Sequence, residues 1–283
     1  MNPGFADDVL AWGRASFRDL PWRRVRDPWA ILVSEVMLQQ TQVVRVVERW
    51  PRFLARFPTP PACAASPLGD VLTEWQGLGY PRRARSLHAT AQRVAALGGF
   101  PRDLDELLAL PGVGPYTARA VQAFAFEDDA AVVDTNIARI YARLSGRRLT
   151  AREAQAIADA ALPAGDAWSW NQCLMDLGAS ICRPTPDCDG CPVRGHCAWA
   201  ASGGPDPAVG SAGVSRRQSR FEGSDRQARG RLMKALTAGP VRREELPSLT
   251  GRDPLTAERL LADLAEEGLC EHTGDEVTLP GAR

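Results

Sequence analysis

The 283-residue chain is predicted to be all-α, with a small winged-helix-like module at its C-terminal end. Three observations predict this. Apolar residues recur at helical spacing from Phe5 to Ser180. The breaks between these segments are short and rich in Pro and Gly. Only Gly268–Leu279 reads as a two-stranded hairpin. A chain of this length holds one large domain and a small one. With 45% hydrophobic and 24% charged residues it is globular and soluble. No apolar run approaches the ~20 residues of a membrane helix. The N-terminus carries Asp7 and Asp8 and lacks a signal-peptide pattern, so a cytoplasmic protein without membrane attachment is expected.

A helix is predicted over 5–18, broken by Leu20-Pro21-Trp22. The next, Trp29 to about Gln39, buries Ile31, Leu32, Val36 and Leu38. Glu35 lies among these apolar residues, where a carboxyl holds its proton more tightly and can act as a proton donor. A surface Glu on an amphipathic helix is the plainer reading. The following Gln39-Gln40-Thr41-Gln42 argues against it, since amides and a hydroxyl at one helix end suit base edges. Helices over 42–57 and 66–76 lead to Gly77-Leu78-Gly79-Tyr80-Pro81. That loop either approaches a duplex and wedges a side chain into the stack or is a plain interhelix turn. Helices over 82–97 and 103–110 follow.

Leu110-Pro111-Gly112-Val113-Gly114 then separates two helices, the second from Tyr116 to about Phe126. This is a helix-hairpin-helix. Gly112, Val113 and Gly114 let the backbone approach a phosphate, and the amides at the second helix's start point at that anion. Such a contact positions DNA without reading its sequence. Asp134, in Val132-Val133-Asp134-Thr135-Asn136, caps a helix over 137–145, and a capping carboxylate is also a fixed anion. Helices over 150–163 and 168–180 complete this part.

Cys182, Cys188, Cys191 and Cys197 are spaced C-x5-C-x2-C-x5-C. Four thiols this close in a cytosolic chain indicate a metal site, either a [4Fe–4S] cluster or structural zinc. One C-x2-C knuckle, where zinc ribbons have two, and the prolines of the loop favour the cluster. Cys63 and Cys173 read as core residues. Residues 201–225 read as a linker, and 226–283 as three helices (226–237, 242–248, 254–267) plus the hairpin.

The formal net charge is zero, but residues 241–283 hold ten acids against five bases, so the rest of the chain is net +5. Basic clusters at Arg23-Arg24-Arg26, Arg82-Arg83-Arg85, Arg147-Arg148 and Arg216-Arg217-Arg220 are compatible with a phosphate-tracking surface. The acidic module is expected to pack or contact protein instead.

Together, L-P-W-R, S-E-V-M-L-Q-Q-T-Q, G-L-G-Y, L-P-G-V-G-x-Y-T and V-D-T-N resemble the helix-hairpin-helix, iron–sulfur DNA glycosylases of the endonuclease III superfamily, in the adenine-specific MutY branch. The resemblance covers roughly residues 8–200. It implies a two-lobed all-α domain over 1–200, with a six-helix lobe at about 18–128 and an iron–sulfur lobe from 1–17 and 129–200. It implies Glu35 as the acid on adenine and Asp134 as the second carboxylate, with Tyr116 and Asn136 beside them. Trp22 and Arg23 fall at the adenine pocket, and Gln39, Gln40, Thr41, Leu78 and Tyr80 at the duplex wedge. The implied partner is double-stranded DNA carrying A·8-oxoguanine or A·G mismatches, bound by a monomer. Three features depart from the family: the first cysteine loop is one residue shorter, Pro81 replaces a second Tyr, and the 58-residue tail is too small for a Nudix-like domain.

The bifunctional relatives use a lysine as Schiff-base nucleophile two residues after the second hairpin glycine; here that residue is Tyr116, and Lys234 is the sole lysine of the chain. A β-lyase needs an amine, so a monofunctional glycosylase is expected. The competing readings are a glycosylase for thymine in G·T mismatches and a non-enzymatic DNA-binding protein with a zinc module.

Overall fold

The computed structural model describes residues 4–214 and 220–281, so Arg216 and Arg217 lie outside the described residues. In chain order the helices are α1 (Phe5–Ser16), α2 (Pro28–Leu38), α3 (Val43–Arg56), α4 (Pro60–Ala64), α5 (Leu68–Trp75), α6 (Arg82–Leu97), α7 (Leu104–Leu108), α8 (Pro115–Ala125), α9 (Thr135–Ser145), α10 (Ala151–Ala161), α11 (Ala167–Ser180), α12 (Ala198–Ser202), α13 (Asp225–Ala238), α14 (Leu246–Thr250) and α15 (Pro254–Glu266). Two compact units result. One is Met1–Ile31, Arg102–Leu108 and Val113–Arg217; the other is Leu32–Pro101, Ala109–Gly112 and Gln218–Arg283. Among the described residues no helix is long and apolar enough to cross a membrane.

In the first unit α1 packs on α11 at backbone distance. A Cβ on Gly13 would lie 2.0 Å from the Cys173 Sγ, which is why a glycine faces this buried cysteine. Phe5 meets Trp170 edge-on at 5.6 Å, both fully enclosed. Asn171 is 1% exposed and serves as a bracket. Its Oδ1 accepts from Val132 N (3.1 Å), and its Nδ2 donates to Ala130 O (2.9 Å). The extended segment before α9 is thereby fixed without a sheet. The stretch read as linker runs along this unit as far as residue 214. Asp206 pairs with Arg143 at 2.7 Å, and buried Ser211 accepts from Leu149 N at 3.1 Å.

In the second unit Phe53, Phe57 and Trp75 form the aromatic centre of α3 to α6, with Phe53 and Phe57 centroids 4.9 Å apart. One turn of helix, α4, starts inside the Pro-rich break, with Thr59 as its cap and Pro60 and Pro61 at its first positions. The C-terminal module belongs to this unit. Its sheet has three strands where the sequence predicts two: β1 (Val241–Arg242), β2 (Glu271–Thr273) and β3 (Glu276–Thr278), in the order β1-β3-β2. All pairing is antiparallel, with Val241 and His272 both opposite Val277. A two-residue strand has no readable periodicity, so β1 is visible only through its partner. The helix–strand–helix–helix–strand–strand order is that of a winged helix. The module packs on α5 and α6: Gly69 N donates to Pro280 O at 2.9 Å, Arg85 donates to Glu267 O at 2.7 Å, and the Glu267 carboxylate holds Arg82 and Arg229.

Candidate active site and DNA-contacting surface

The site residues of the first unit centre on Asp134. It caps α9, and its Oδ1 accepts from Asn136 N (2.9 Å) and Ile137 N (2.7 Å). The Asn136 Nδ2 donates to Oδ2 at 2.8 Å. Burial pushes the Asp134 carboxyl above the ordinary carboxylate range, and these donors, with Arg139, oppose the shift. The result is an oriented, half-buried carboxylate. Asn136 is held in turn: its Oδ1 accepts from Arg139 at 2.8 Å, and Arg139 also donates to Gly178 O and Cys182 O, each at 2.7 Å. A Cβ on Gly178 would stand 2.6 Å from the Asn136 Cβ, so only glycine allows α11 this close. Tyr116 is half-buried in the first turn of α8.

Trp22 and Arg23 lie in a 3-10 turn, Pro21–Arg24, and are 4% and 8% exposed. Arg23 is bidentate to Asp176, at 2.7 and 2.8 Å, and Arg18 shares that carboxylate at 2.6 Å. Burial alone would raise Asp176; the hydrogen bonds and charges of Arg23 and Arg18 outweigh it and hold its pKa below the ordinary value. The Arg23 Nε is buried without an acceptor among the described residues. Arg23 is therefore a clamped side chain with one donor unused, not a surface cation.

Cys182, Cys188, Cys191 and Cys197 line one cavity of about 30 Å³, together with Arg143, Arg194 and Trp199. Arg143 is 2% exposed and donates to the Cys182 Sγ at 3.3 Å, while the Cys197 thiol points at Arg143 O at 3.4 Å. The donor set, four thiols around one small cavity with a guanidinium beside them, fits an anionic iron–sulfur cluster. Among the described residues no three His, Cys, Asp or Glu side chains are grouped so as to hold a metal ion directly.

The site residues of the second unit are Glu35 and a platform of two turns. Glu35 is 5% exposed, flanked by Leu32, Val33, Ser34, Val36 and Met37, all buried. Gln40 and Tyr80 have φ of 55° and 49°; among the described residues Glu127 is the one other non-glycine in the left-handed region. Each such residue costs roughly 1–3 kcal/mol, and such strain concentrates at functional sites. Arg83 joins the two turns. It donates to Val36 O (2.7 Å), Met37 O (3.1 Å), Gln39 O (2.6 Å), Thr41 Oγ1 (3.1 Å), Leu78 O (2.9 Å) and Gly79 O (3.0 Å). The Thr41 hydroxyl also donates to Leu78 O at 3.1 Å. Burial lowers Arg83 to about 10, which leaves it charged at neutral pH. Leu78 is 4% exposed and anchors the loop from inside; Tyr80, at 39%, is the side chain that stands out. The hairpin turn is anchored to α6 by Thr90, whose hydroxyl donates to Pro111 O at 2.6 Å. Gly112 has φ 75° and lies against Ser86, where a Cβ would come within 2.6 Å. Gly114 has open space around its Cα, and Pro115 follows it as the first residue of α8.

Arg82, Arg83 and Arg85, a basic cluster in sequence, are used structurally: Arg83 by the two turns, and Arg82 and Arg85 by Glu267. Sequence reasoning passed over Arg139, Arg143, Asn171 and Asp176. Their one signal is a charged or amide side chain within a helix that is otherwise apolar on that face.

A profile of HhH-GPD superfamily base excision DNA repair proteins matches residues 33–163. An adenine DNA glycosylase of Mycolicibacterium smegmatis is 41% identical over 278 residues, covering 95% of this chain and 93% of its own length. One from Mycobacterium tuberculosis is 43% identical over 287 residues, covering 97% and 93%. Among solved structures, a thermostable thymine-DNA glycosylase superposes with a TM-score of 0.67 at 31% identity, over 70% of this chain and 95% of that one.

Proposed function

This chain belongs to the adenine DNA glycosylases, within the HhH-GPD superfamily of base excision DNA repair proteins, and we propose that it hydrolyses the N-glycosidic bond of adenine opposite 8-oxoguanine or guanine without cutting the strand. The observation that carries the chemistry is Asp134, a half-buried carboxylate fixed by three N–H groups.

The bond is out of reach inside a duplex, so the adenine is extruded. The hairpin backbone at Gly112–Gly114 holds a phosphate. Tyr80 and Gln40 enter the stack, and the strain in both turns keeps them aimed outward. Adenine leaves badly as an anion, and Glu35 supplies a proton to a ring nitrogen. The deoxyribose is left with oxocarbenium character. Asp134 stabilises that cation, with Asn136 and Tyr116 orienting it, in the two-carboxylate logic of glycoside hydrolysis. Water completes the reaction. Trp22 and the clamped Arg23 line the adenine pocket. No amine is at hand for a Schiff base, since Lys234 is the one lysine and Tyr116 stands at the nucleophile's position, so the product is an intact strand with an abasic site.

Cys182, Cys188, Cys191 and Cys197 would hold a [4Fe–4S] cluster. When bound, it supplies a cross-link that fixes the 182–197 loop on Arg143. Zinc is the weaker reading, because the spacing holds one C-x2-C knuckle where zinc ribbons have two.

A thymine specificity shares the fold. It is disfavoured by Glu35, since thymine has no basic ring nitrogen to protonate. Single-turnover release from duplexes with A opposite 8-oxoguanine, G, C or T, and from T·G, separates the two. Release of adenine opposite 8-oxoguanine, abolished by Glu35→Gln and giving breaks only after alkali, is expected. Release from T·G alone would overturn the adenine assignment.

A further inference from the structure

We propose that the winged-helix-like module, with the turn that leads into it, adds two DNA contacts, Phe221 and Arg226, beside the wedge residue Tyr80, and so belongs to the duplex-binding surface. The inference rests on the placement of Tyr80 in the duplex given above. Exposed large apolar side chains are few among the described residues, and Phe221 is one of them, 58% exposed. It is not on a loose loop. The Ser224 hydroxyl donates to Phe221 O at 2.5 Å, Gly223 N donates to Gln227 Oε1 at 2.9 Å, and Arg252 donates to Gly223 O at 2.5 Å. The ring thus stands out to solvent from a hydrogen-bonded turn.

Arg226 connects this ring to the wedge. Its guanidinium lies 6.0 Å from the Phe221 ring centre, and its Nη1 reaches the Tyr80 hydroxyl at 3.5 Å. On the other side of the loop Arg49 flanks Gly77, 3.3 Å from where a Cβ would sit. The strained loop is therefore bordered by one guanidinium from α3 and one from the module. Two exposed aromatics with one arginine between them and a second beside the loop are the elements of a nucleic-acid stacking surface: rings for base faces, guanidinium groups for phosphates. A protein partner would find little else here to bury, because Phe221 and Tyr80 are separated by a charge. The occupant this chemistry fits is the DNA strand already bent by the wedge. Charge does not oppose this: residues 226–283 hold ten acids against nine bases, and Asp225, adjacent in sequence, is held by Arg252 and Arg259.

The test is equilibrium binding of the full-length protein to a fluorescent duplex containing a non-cleavable adenine analogue opposite 8-oxoguanine, over a range of salt. Phe221→Ala, Phe221→Trp, Arg226→Gln and, as a control elsewhere on the module, Leu255→Ala are compared. Phe221→Ala should weaken binding roughly 10-fold, Phe221→Trp should not, and Arg226→Gln should reduce the salt slope by about one. Leu255→Ala, altering a leucine 82% exposed on α15, should bind as wild type. Equal affinity and slope for Phe221→Ala, Arg226→Gln and wild type would overturn the proposal, as would equal weakening by Leu255→Ala. Adenine release by the wild type is measured separately: its failure would sink the proposed activity and leave the binding comparison standing.

Discussion

Asp134 and Arg83 are both charged side chains enclosed by backbone groups, and they differ in which partner is being held. At Asp134 the start of a regular helix supplies the amides, and the backbone holds the side chain. At Arg83 five backbone carbonyls and the Thr41 hydroxyl, from the end of α2 and the two irregular turns, converge on one guanidinium, and the side chain holds the backbone. The first arrangement is relaxed, with Asp134 at φ −88° and ψ −176°; the second keeps Gln40 and Tyr80 in the left-handed region. The lesson is a division of labour. A reacting carboxylate needs constancy, which a helix cap provides at no strain. Deforming a duplex needs side chains aimed where relaxed turns would not aim them.

The comparison breaks most visibly at Asp134. Asp134→Asn keeps the cap acceptor and removes the anion, so adenine release should fall roughly 10³-fold. Its melting temperature should be no lower than wild type. The sign follows from the raised pKa: burial makes the ionised form costly in the folded state, and a neutral amide relieves that cost. The same shift sets the pH dependence. Activity requires the anion, so it should rise with pH through a value above 3.8, and a rate–pH profile without that acid limb would remove Asp134 from the mechanism. At Arg83 the opposite pattern is expected. Arg83→Ala strands several acceptors and should cost about 1.5–3 kcal/mol in chemical denaturation, with weakened duplex binding. If it bound DNA as wild type does, the platform would be irrelevant to recognition.

Gly178→Ala sharpens the first half of the comparison. A methyl 2.6 Å from the Asn136 Cβ must displace α9 or α11, at a cost of about 1–3 kcal/mol. Release should drop with stability, because Asn136 holds Asp134; lost stability with an unchanged rate would show that Asn136 is not needed for orientation. The smallest effect is expected at Tyr80. Tyr80→Gly relieves the left-handed strain, so the protein should melt slightly higher, by about 1 kcal/mol, while losing affinity for the mismatched duplex. Destabilisation with full affinity would reverse the reading of that loop.

Much of the candidate site in the first unit was legible because its signals are local. The carboxylate in V-V-D-T-N lies next to the helix it caps, and the four cysteines fall within sixteen residues. The L-P-G-V-G turn needs glycine for its own backbone, and Gly112 does adopt φ 75°. Arg83 was misplaced for the converse reason. In sequence it is one of three arginines in a basic run, and nothing there distinguishes a half-buried hub from a phosphate contact. Leu78 likewise reads as a wedge residue beside Tyr80, yet the loop turns it inward.

By itself the sequence determined most helix boundaries near a cap or glycine, the cap at Asp134, the grouping of the four thiols and the lack of any lysine but Lys234, since each depends on neighbours a few residues away. Tertiary structure alone decided that Asn171 brackets the segment before Asp134, that Asp176 clamps Arg23, that two residues at Val241 complete a sheet and that Glu267 fastens the module to α6. Each of these joins groups dozens to well over a hundred residues apart, such as Arg82 and Glu267. A buried polar group states in sequence that it needs a partner; only the packed chain says which one it found.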